Sequence, residues 1–552
     1  MSAGNESRRS AFAWGAILVL GVLVIYAKSA GYEYLRLDDH DYTFLCPFVK
    51  DGLSWGNVRE AFCNLVHGCI WMPLTYISYM AVISMFGEGA GPQHALCTLL
   101  HAANAVLFYM LLLRMSRTRE GGKTWVVQML CFAAAAFWAW HPMRCESVAW
   151  IASRKDVMVA FFSLAGLNAW SVKRWGWGWV FCALACMCKP AAMVFPCFAA
   201  CVEMFSASRD WNGWRRASLR YAPLFVMGVA TGLLAMYSQT SGGQRSLFYA
   251  PLGWRLLNAA VSVGLEMWHT VLPTSLHIVY RPMYGEWPQG SFVGLATLAV
   301  VSGGVGFAVW RAARPGPGRR GAMRVLVCAL WFLVGIAPTL GIAADFGDHA
   351  YADRFTYMPA MGFSMLVLAF PFAERLINRA SCRARAVIVT AVVAVYGCAA
   401  FVYADTFRDN FSLFKRVVDC DWGHPAGNLI LGIEYAIRKG EVDKGIEYVR
   451  KSFLFDPKEE CGAELVYLLA KRGLPEDDAE VKRICAALAT EPERDAAGRA
   501  TAALGIVALR EGNIALARRM FEHTVHVGRP DDRARAAKAL ESLSGPMKEA
   551  AP

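Results

Sequence analysis

Long apolar runs alternate with short polar segments over the first 405 residues of the chain. A membrane-spanning helix needs about 20 predominantly apolar residues, because the hydrocarbon core of a bilayer is about 30 Å thick. The pattern therefore predicts an all-α polytopic membrane protein with about eleven spans. The runs that suit such spans are 11–27, 92–113, 125–140, 156–172, 176–188, 190–205, 221–239, 291–310, 325–343, 358–374 and 387–404.

Arginine and lysine concentrate in alternate connections between these runs, at 114–123, 173–174, 209–220, 311–324 and 375–385. The positive-inside rule assigns these connections, together with the N-terminus, to the cytoplasmic face. This topology requires that 252–274, which carries Arg255, Glu266 and His269, does not cross, and we expect it to form an amphipathic helix in the membrane interface. The outer face then receives the segments 28–91, 141–155, Lys189-Pro190, 240–290 and 344–357.

The pattern changes after Asp405, where the chain becomes polar with helical periodicity. We therefore divide it into a membrane domain, 1–405, and a soluble domain on the outer face, 406–552. The spacing of small and aromatic residues in 504–524 is typical of a tetratricopeptide repeat. A second copy begins at Leu431-Gly432, and a degenerate unit is expected over 460–490. The domain is predicted to be a tetratricopeptide-like α-solenoid, whose concave surface binds peptides; a generic array of helical hairpins is the alternative.

Composition agrees with a membrane protein. The 552 residues are 56% hydrophobic, with a mean hydropathy of +0.33, which excludes an ordinary water-soluble protein. The net charge of +12 lies in the inner connections, and no nucleic-acid-binding motif accompanies it. Most of the 17 cysteines fall in apolar runs, where they pack as small hydrophobic residues. Cys46, Cys63 and Cys69 share one outer segment and are candidates for a disulfide whose pairing the sequence leaves open.

Asp38, Asp39 and Asp41 form an acidic cluster shortly after the first apolar run. Crowded carboxylates repel one another and are costly near hydrocarbon, so their position indicates a use. One interpretation is general-base catalysis, in which a carboxylate takes a proton from an attacking hydroxyl. The alternatives are a divalent cation bound by the three carboxylates and a solvated loop.

Cations also occur on the outer face. Arg154 and Lys155 oppose the positive-inside trend, which suggests an anionic ligand such as a phosphate; anchoring to lipid headgroups is the alternative. Lys189 lies between two apolar runs and is a further candidate for binding an anion. The alternative is a side chain that snorkels to the membrane surface. Asp353 and Arg354 lie among aromatic residues at the start of an apolar run. They are interpreted either as a phosphate clamp or as a structural ion pair.

Histidines complete the candidate set. His94 and His101 lie on one face of the second span with Asn104, as contacts to substrate or as helix–helix hydrogen bonds. His141 begins a segment in which Glu146, Trp150 and Arg154 share one helical face.

Taken in order, these residues resemble the transmembrane and tetratricopeptide repeat-containing O-mannosyltransferases, a family of type C glycosyltransferases. The tail is short for this family, and Met72 replaces a histidine that bacterial relatives often carry, which puts any role of that histidine in doubt. The matching motifs are Asp38-Asp39-x-x-Tyr42, Trp71-Met72-Pro73-Leu74-Thr75, His94-x-Leu96-x-x-Leu99-Leu100-His101-x-x-Asn104, His141-Pro142, Glu146-Ser147-Val148-Ala149-Trp150, Arg154-Lys155-Asp156, Lys189-Pro190 and Ala352-Asp353-Arg354-Phe355-Thr356-Tyr357.

The resemblance implies transfer of a sugar, mannose in this family, from polyprenyl or dolichyl phosphate to Ser/Thr hydroxyls of exported polypeptides, with inversion. Asp38 or Asp39 is then the base and Glu146 the second acid of the site. The donor phosphate meets Arg154, Lys155, Lys189 and Arg354, and substrate contacts come from Asp41, Tyr42, His94, His101, His141 and Asp353.

The same resemblance implies the partners and the location. The partners are the lipid-linked sugar, an acceptor polypeptide held by the repeats, and the bilayer, without nucleic acid. No cofactor follows from it, and the cation near Asp38, Asp39 and Asp41 stays open. The expected location is the bacterial inner membrane with a periplasmic site, or the endoplasmic reticulum. Alternatives are a lipid or cell-wall glycan acceptor, a transporter and a membrane-anchored scaffold; inverted repeats and mid-membrane charges, which favour a transporter, are not evident.

Overall fold

The computed structural model describes residues 2–64, 70–116, 124–206, 211–241, 250–281, 290–316, 318–342, 350–369, 382–457, 459–488 and 494–544. All regular secondary structure within these ranges is helical, so the all-α prediction is confirmed there. The chain divides into two compact units, Met1–Asp409 and Asn410–Pro552, whereas the sequence places the boundary after Asp405. Cys69 and much of the 375–385 connection lie outside the described residues.

Five helices of the first unit are long and apolar enough to cross a membrane: Arg9–Gly31, Ala90–Ser116, Leu219–Ser238, Ser291–Ala313 and Arg319–Thr339. Two bent helix pairs raise the number to as many as seven. These helices are compatible with the predicted membrane protein. Four further apolar helices have 10–17 residues: Pro73–Phe86, Trp175–Cys186, Pro190–Ser206 and Ala360–Ala369. Fourteen residues rise only about 21 Å, less than the hydrocarbon thickness, so the count of eleven spans stays a prediction.

Short helices and 3₁₀ turns interrupt the outer segments and position most of the candidate residues. The turns Pro142–Arg144 and Pro190–Val194 both begin with proline, whose fixed φ and missing N–H suit the first position of a helical turn. Three of the candidate spans lie on the helices Ser2–Tyr26, Trp211–Ser241 and Arg319–Ile336. The remaining helices of this unit are Asp38–Tyr42, Pro47–Lys50, Trp55–Cys63, Thr124–Ala139, Cys145–Ala149, Arg154–Ser171, Leu252–Val271 and Cys382–Ala404, and the remaining 3₁₀ turns include Ile151–Ser153 and Asp353–Thr356.

The Leu252–Val271 helix is packed inside the unit. Glu266 and His269, which an interfacial helix would turn toward water or headgroups, are 1% and 6% exposed. One side of the helix packs closely on another helix, because a Cβ added at Gly264 would meet the carbonyl oxygen of Gly294. Glu266 lies about 200° further around the helix, on the side where His269 packs against Tyr280 and Tyr351. Both sides of the helix therefore meet protein.

The second unit is a helical array with a repeat-like architecture. Gly432 and Gly445 allow close approach of neighbouring helices, since a Cβ on either would meet the other's carbonyl oxygen at 2.7 and 2.8 Å. Gly505 fits beneath the ring of Phe521 in the same way. The helices are Asn410–Cys420, Pro425–Arg438, Val442–Phe455, Glu459–Arg472, Asp478–Leu488, Arg494–Arg510, Ile514–Val527 and Pro530–Ser544.

Candidate functional site

Asp39 joins two outer segments. Its carboxylate is fully buried and accepts hydrogen bonds from the backbone N–H of Ala152, at 2.7 Å, and of Leu35, at 2.9 Å. Burial raises the pKa of Asp39 to about 7, although both N–H donors act to lower it. A carboxyl group that titrates near neutrality is characteristic of functional sites, and this one fixes the Asp38–Tyr42 helix against the 141–155 segment.

Asp38 is the more accessible carboxylate of the pair. Its side chain is 47% exposed, and its Oδ2 lies 3.8 Å from Lys155 Nζ. Lys155 is buried, donates a hydrogen bond to Tyr42 Oη at 3.1 Å and lies over the Tyr42 ring at 4.4 Å. Asp41, by contrast, is exposed. The structure therefore brings Asp38, Asp39, Tyr42 and Lys155 together.

The arrangement of these carboxylates does not suit a metal ion. Both oxygens of Asp39 accept backbone N–H groups, and Asp38 faces Lys155. Within the ranges that the structure describes, no group of three or more His, Cys, Asp or Glu side chains is arranged to hold a metal. Each oxygen of Asp39 already accepts one backbone N–H, and Asp38 faces Lys155, so we derive no chemistry through a metal.

Glu146 and Arg354 form a buried pair between the second and the last outer segments. Glu146 Oε2 accepts the backbone N–H of Arg354 at 3.0 Å, and Oε1 binds the Arg354 guanidinium. The guanidinium also lies over the rings of Trp150 and Phe355, at 5.2 and 4.9 Å. Asp38 also acts electrostatically on Arg354.

Lys189 extends the cationic group. Its Nζ lies 2.6 Å from Asp156 Oδ1 and 5.6 Å from the Phe355 ring. The Lys189 turn is held from the first outer segment, because Thr75 Oγ1 donates to the Cys188 carbonyl at 2.9 Å. Lys155 and Arg354 both act electrostatically on Lys189, so three cations from separate segments share one region with their carboxylate partners.

A cavity of about 40 Å³ opens beside this region. Asp156, Lys189 and Arg354 line one part of it, and the other walls are almost entirely apolar, being formed by Val159, Ala191, Ala192, Val194, Phe195, Phe198, Gly335, Phe355, Met358 and Pro359, with Ser163, Thr339 and Tyr357 between them.

Arg154 occupies a different environment from its neighbour Lys155. It is fully buried, and its described hydrogen bonds go to Ser78, to Cys97 and to the side chain and backbone of Gln93. The guanidinium lies 4.4 Å over the Tyr79 ring. These contacts hold Arg154 within a polar core. The predicted binding of a phosphate would need guanidinium N–H groups that are not already engaged in this way.

Two of the histidines, His101 and His141, make hydrogen bonds within the protein. His101 bridges Tyr357 Oη, at 2.6 Å, and the Ala139 carbonyl, at 2.9 Å, which corresponds to the helix–helix alternative. His94 is buried edge-on against Tyr32. His141 Nδ1 accepts the N–H of Met143 as the cap of its turn, and Nε2 contacts the Thr270 carbonyl at 3.1 Å.

Asp353 takes part in a second buried polar cluster, although Glu146 and Arg354 also act on it electrostatically. Its Oδ1 accepts from Tyr280 Oη at 3.1 Å, and Arg144 donates to Thr356 Oγ1 at 2.6 Å. Arg144 and Glu266 act on each other and on Asp353 electrostatically. Four atoms of this cluster lack a hydrogen-bond partner among the described residues: Nε and Nη1 of Arg144, Oε2 of Glu266 and Oδ2 of Asp353.

Sequence reasoning missed Asp156, Arg144 and Glu266 as candidates. Asp156 follows Lys155 directly, so its place beside the cations was visible in the motif. Glu266 is an ionisable residue in an apolar stretch, which is itself a signal of function or pairing.

Scans against protein-family models, curated proteins and solved structures give no match to this chain.

Proposed function

We propose that this chain is a membrane glycosyltransferase of the type C class that moves a sugar, mannose by resemblance, from a polyprenyl or dolichyl phosphate to a hydroxyl group on the outer face. One observation carries the proposal: the carboxylate of Asp38 lies 3.8 Å from Lys155 and acts electrostatically on Arg354, and both of these cations act on Lys189. A carboxylate for the nucleophile and cations for an anionic leaving group are the two requirements of this reaction.

In the proposed reaction the acceptor oxygen attacks the anomeric carbon, and the bond from that carbon to the phosphate oxygen breaks. Asp38 takes the hydroxyl proton, since its carboxylate is half exposed while both oxygens of Asp39 are engaged. Asp39 is then a positioning residue. The lipid phosphate leaves with the bonding electron pair, and Lys189 and Arg354 stabilise its charge. A single displacement inverts the anomeric centre.

The finer architecture belongs to the same proposal. We infer about eleven spans, with Trp175–Cys186 and Pro190–Ser206 meeting at Lys189 on the outer face. We also infer that the second unit is a tetratricopeptide-like solenoid that holds the acceptor polypeptide. The location is then the bacterial inner membrane with a periplasmic site, or the endoplasmic reticulum membrane. The repeat-like packing around Gly432 and Gly445 supports the solenoid.

The test is transfer from radiolabelled mannosylphosphoryl undecaprenol to a Ser/Thr-rich exported polypeptide in membranes that contain the protein. Asp38→Asn is expected to abolish transfer without lowering the unfolding temperature, since the side chain is half exposed. Asp51→Asn, at an exposed position of the same segment, is the matched control and keeps activity. Full transfer by Asp38→Asn, with Asp51→Asn unchanged, would remove Asp38 as the base.

A further inference from the structure

The chain turns sharply at Lys173 and Arg174, between the helices Arg154–Ser171 and Trp175–Cys186. This turn lies at the end of the second helix that is opposite to Lys189. The second helix has 12 residues and therefore rises about 18 Å. The turn and the side chains around it are thus separate from the candidate site.

Lys173 adopts a left-handed backbone conformation, with a φ of 63°. Its N–H donates to the Trp170 carbonyl at 2.9 Å, and the Arg174 N–H donates to the Ala169 carbonyl at 3.0 Å. These two bonds form a Schellman motif, whose left-handed position is usually glycine because a Cβ is disfavoured there. The chain carries a lysine where the backbone favours glycine, so we expect the side chain to have a use beyond the turn itself.

Three basic side chains around this turn form no ion pair with any residue that the structure describes: Lys173, Arg174 and Arg220. The first two are exposed and Arg220 is half-buried. The cations of the candidate site, by contrast, each have a carboxylate partner. Unpaired cations at the end of apolar helices are suited to binding an anionic headgroup.

Aromatic rings hold Arg220 beside the turn. Its guanidinium lies 4.7 Å from the centre of the Trp175 ring, and Trp175 packs edge-on against the buried Trp170, with ring centroids 4.6 Å apart. The Trp179 indole N–H donates to the Arg220 carbonyl at 3.1 Å, which ties the helix Trp211–Ser241 to the turn. The packing of three helices therefore fixes Arg220 against Trp175.

An open groove of about 560 Å³ follows the turn, and its lining residues are Arg174, Trp175, Gly176, Trp177 and Val180. Trp177 and Val180 are 58% and 47% exposed. We propose that this groove binds an anionic glycerophospholipid, with its phosphate at the cations of the turn and its acyl chains along Trp177 and Val180. The cations provide charge complementarity, and tryptophan is typical of the membrane–water interface.

The two kinds of side chain together select this class of ligand. A soluble phosphate would pair with the cations but leave the exposed Trp177 and Val180 uncovered. A zwitterionic lipid would cover the apolar side chains but bring a quaternary ammonium toward two unpaired cations, which repel it. An anionic headgroup that carries acyl chains meets both requirements.

The experiment is native mass spectrometry of the full chain in a neutral detergent, which resolves the first bound lipid from later ones. The probes are dioleoyl phosphatidylglycerol, dioleoyl phosphatidylcholine and glycerol 3-phosphate. Arg174→Gln and Lys173→Gly each remove one cation. Arg314→Gln is the matched control, because Arg314 is also exposed and lies 3.9 Å over a tryptophan ring, that of Trp310, but does not line the groove.

Gly176→Leu tests the groove itself. An added Cβ meets nothing within 4 Å at Gly176 or at Gly303, so both positions have room for a side chain. Gly176 lines the groove, whereas Gly303→Leu is the control on a different helix. Unfolding temperatures report whether each variant has folded. Lys173→Gly should not lower this temperature, because glycine adopts the left-handed conformation without a steric penalty.

We expect phosphatidylglycerol to bind at least about tenfold more tightly than phosphatidylcholine. Each cation variant should weaken phosphatidylglycerol binding by about fivefold, and Gly176→Leu should weaken it by a similar factor. Both controls should bind as the wild type does, and glycerol 3-phosphate should not compete with the lipid.

Several results would overturn the lipid site. Equal binding of the two lipids, or unchanged binding by the folded cation variants, would show that the turn does not recognise charge. An equal loss in Arg314→Gln would show attraction to basic residues in general. Unchanged binding by Gly176→Leu would remove the groove, and competition by glycerol 3-phosphate would assign the cations to a soluble phosphate.

Discussion

Arg354 and Glu146 bind each other twice, once through the backbone N–H of Arg354 and once through its guanidinium, across 208 positions of sequence. Glu146 is 1% exposed and the Arg354 side chain 11%, so the pair lies almost entirely outside bulk water. A pair of this kind makes each partner dependent on the other, because removing one leaves a buried charge.

Replacing Glu146 therefore tests the pair directly. Glu146→Gln keeps the size of the side chain but leaves Arg354 without its carboxylate, and we expect a loss of about 3–5 kcal/mol in unfolding free energy. Thermal unfolding in detergent measures it. Glu447→Gln is the matched control, because Glu447 pairs with Lys451 on an exposed helix face and should cost about 0.5 kcal/mol or less. Equal effects of the two substitutions would contradict the argument.

Asp39 predicts a pH dependence of stability. Its pKa is raised to about 7 in the folded chain by burial, whereas an unfolded aspartate titrates near 3.9. Between these values the folded state binds more protons than the unfolded state, so the contribution of Asp39 to stability declines as pH rises from about 4 to about 7.

The measurement compares the wild type with Asp39→Asn, which does not titrate. The stability of the wild type relative to this variant should fall across that pH window and level off above it. Using the difference removes the contributions of other acids that both proteins share. A difference that stays constant from pH 4.5 to 8 would show that the Asp39 carboxylate is ionised throughout.

Arg144 and Glu266 should be energetically coupled. Arg144 is 1% exposed and acts electrostatically on both Glu266 and Asp353. Arg144→Met should cost about 3–5 kcal/mol, because Glu266 then loses the cation that acts on it and Asp353 retains only Arg354. Glu266→Gln should cost far less. The double variant should lose less unfolding free energy than the sum of the losses in the two single variants. Additive losses in thermal unfolding would count against a shared cluster.

Gly432 provides a test of the second unit. Gly432→Val places a side chain against the Gly445 carbonyl and Val449, so the two helices must separate and the unit should unfold at a lower temperature. If this unit holds the acceptor, transfer to a polypeptide should fall more than transfer to a lipid or glycan acceptor. Gly253→Ala, where an added Cβ meets no atom within 4 Å, is the control. An equal loss for both acceptor types would speak against a polypeptide-binding role.

The sequence allowed the helical class to be predicted, because hydrophobic runs are a one-dimensional signal, and its charged motifs named several of the residues that the structure brings together. It did not distinguish Arg154 from Lys155, although the two are adjacent. Their side chains leave the helix about 100° apart, so one meets Gln93 and Cys97 while the other meets Tyr42. Such divergence depends on which helices pack nearby, and that information is not local.

Glu266 illustrates a second limit. Periodicity alone assigns a charged residue in an apolar helix to a polar face, and a polar face is expected to meet water. Protein covers that face instead, because His269 packs against Tyr280 and Tyr351 and Glu266 lies near Arg144 and Asp353. Contacts between residues far apart in sequence carry no periodic signature, so this buried cluster could be found only from coordinates.

Each cation in the cluster is already neutralised from within the chain: Lys189 by Asp156, Arg354 by Glu146 and Lys155 by Asp38. A donor phosphate must therefore compete with the protein's own carboxylates for these cations. Each cation that binds the phosphate leaves its carboxylate without an ion-pair partner. Under the proposed function, binding of the donor phosphate would break the ion pair between Lys155 and Asp38. The Asp38 carboxylate would then be free to act as a base only after the donor is bound. Such a site would make transfer strictly sequential, donor first and acceptor second, an order that product-inhibition kinetics would reveal.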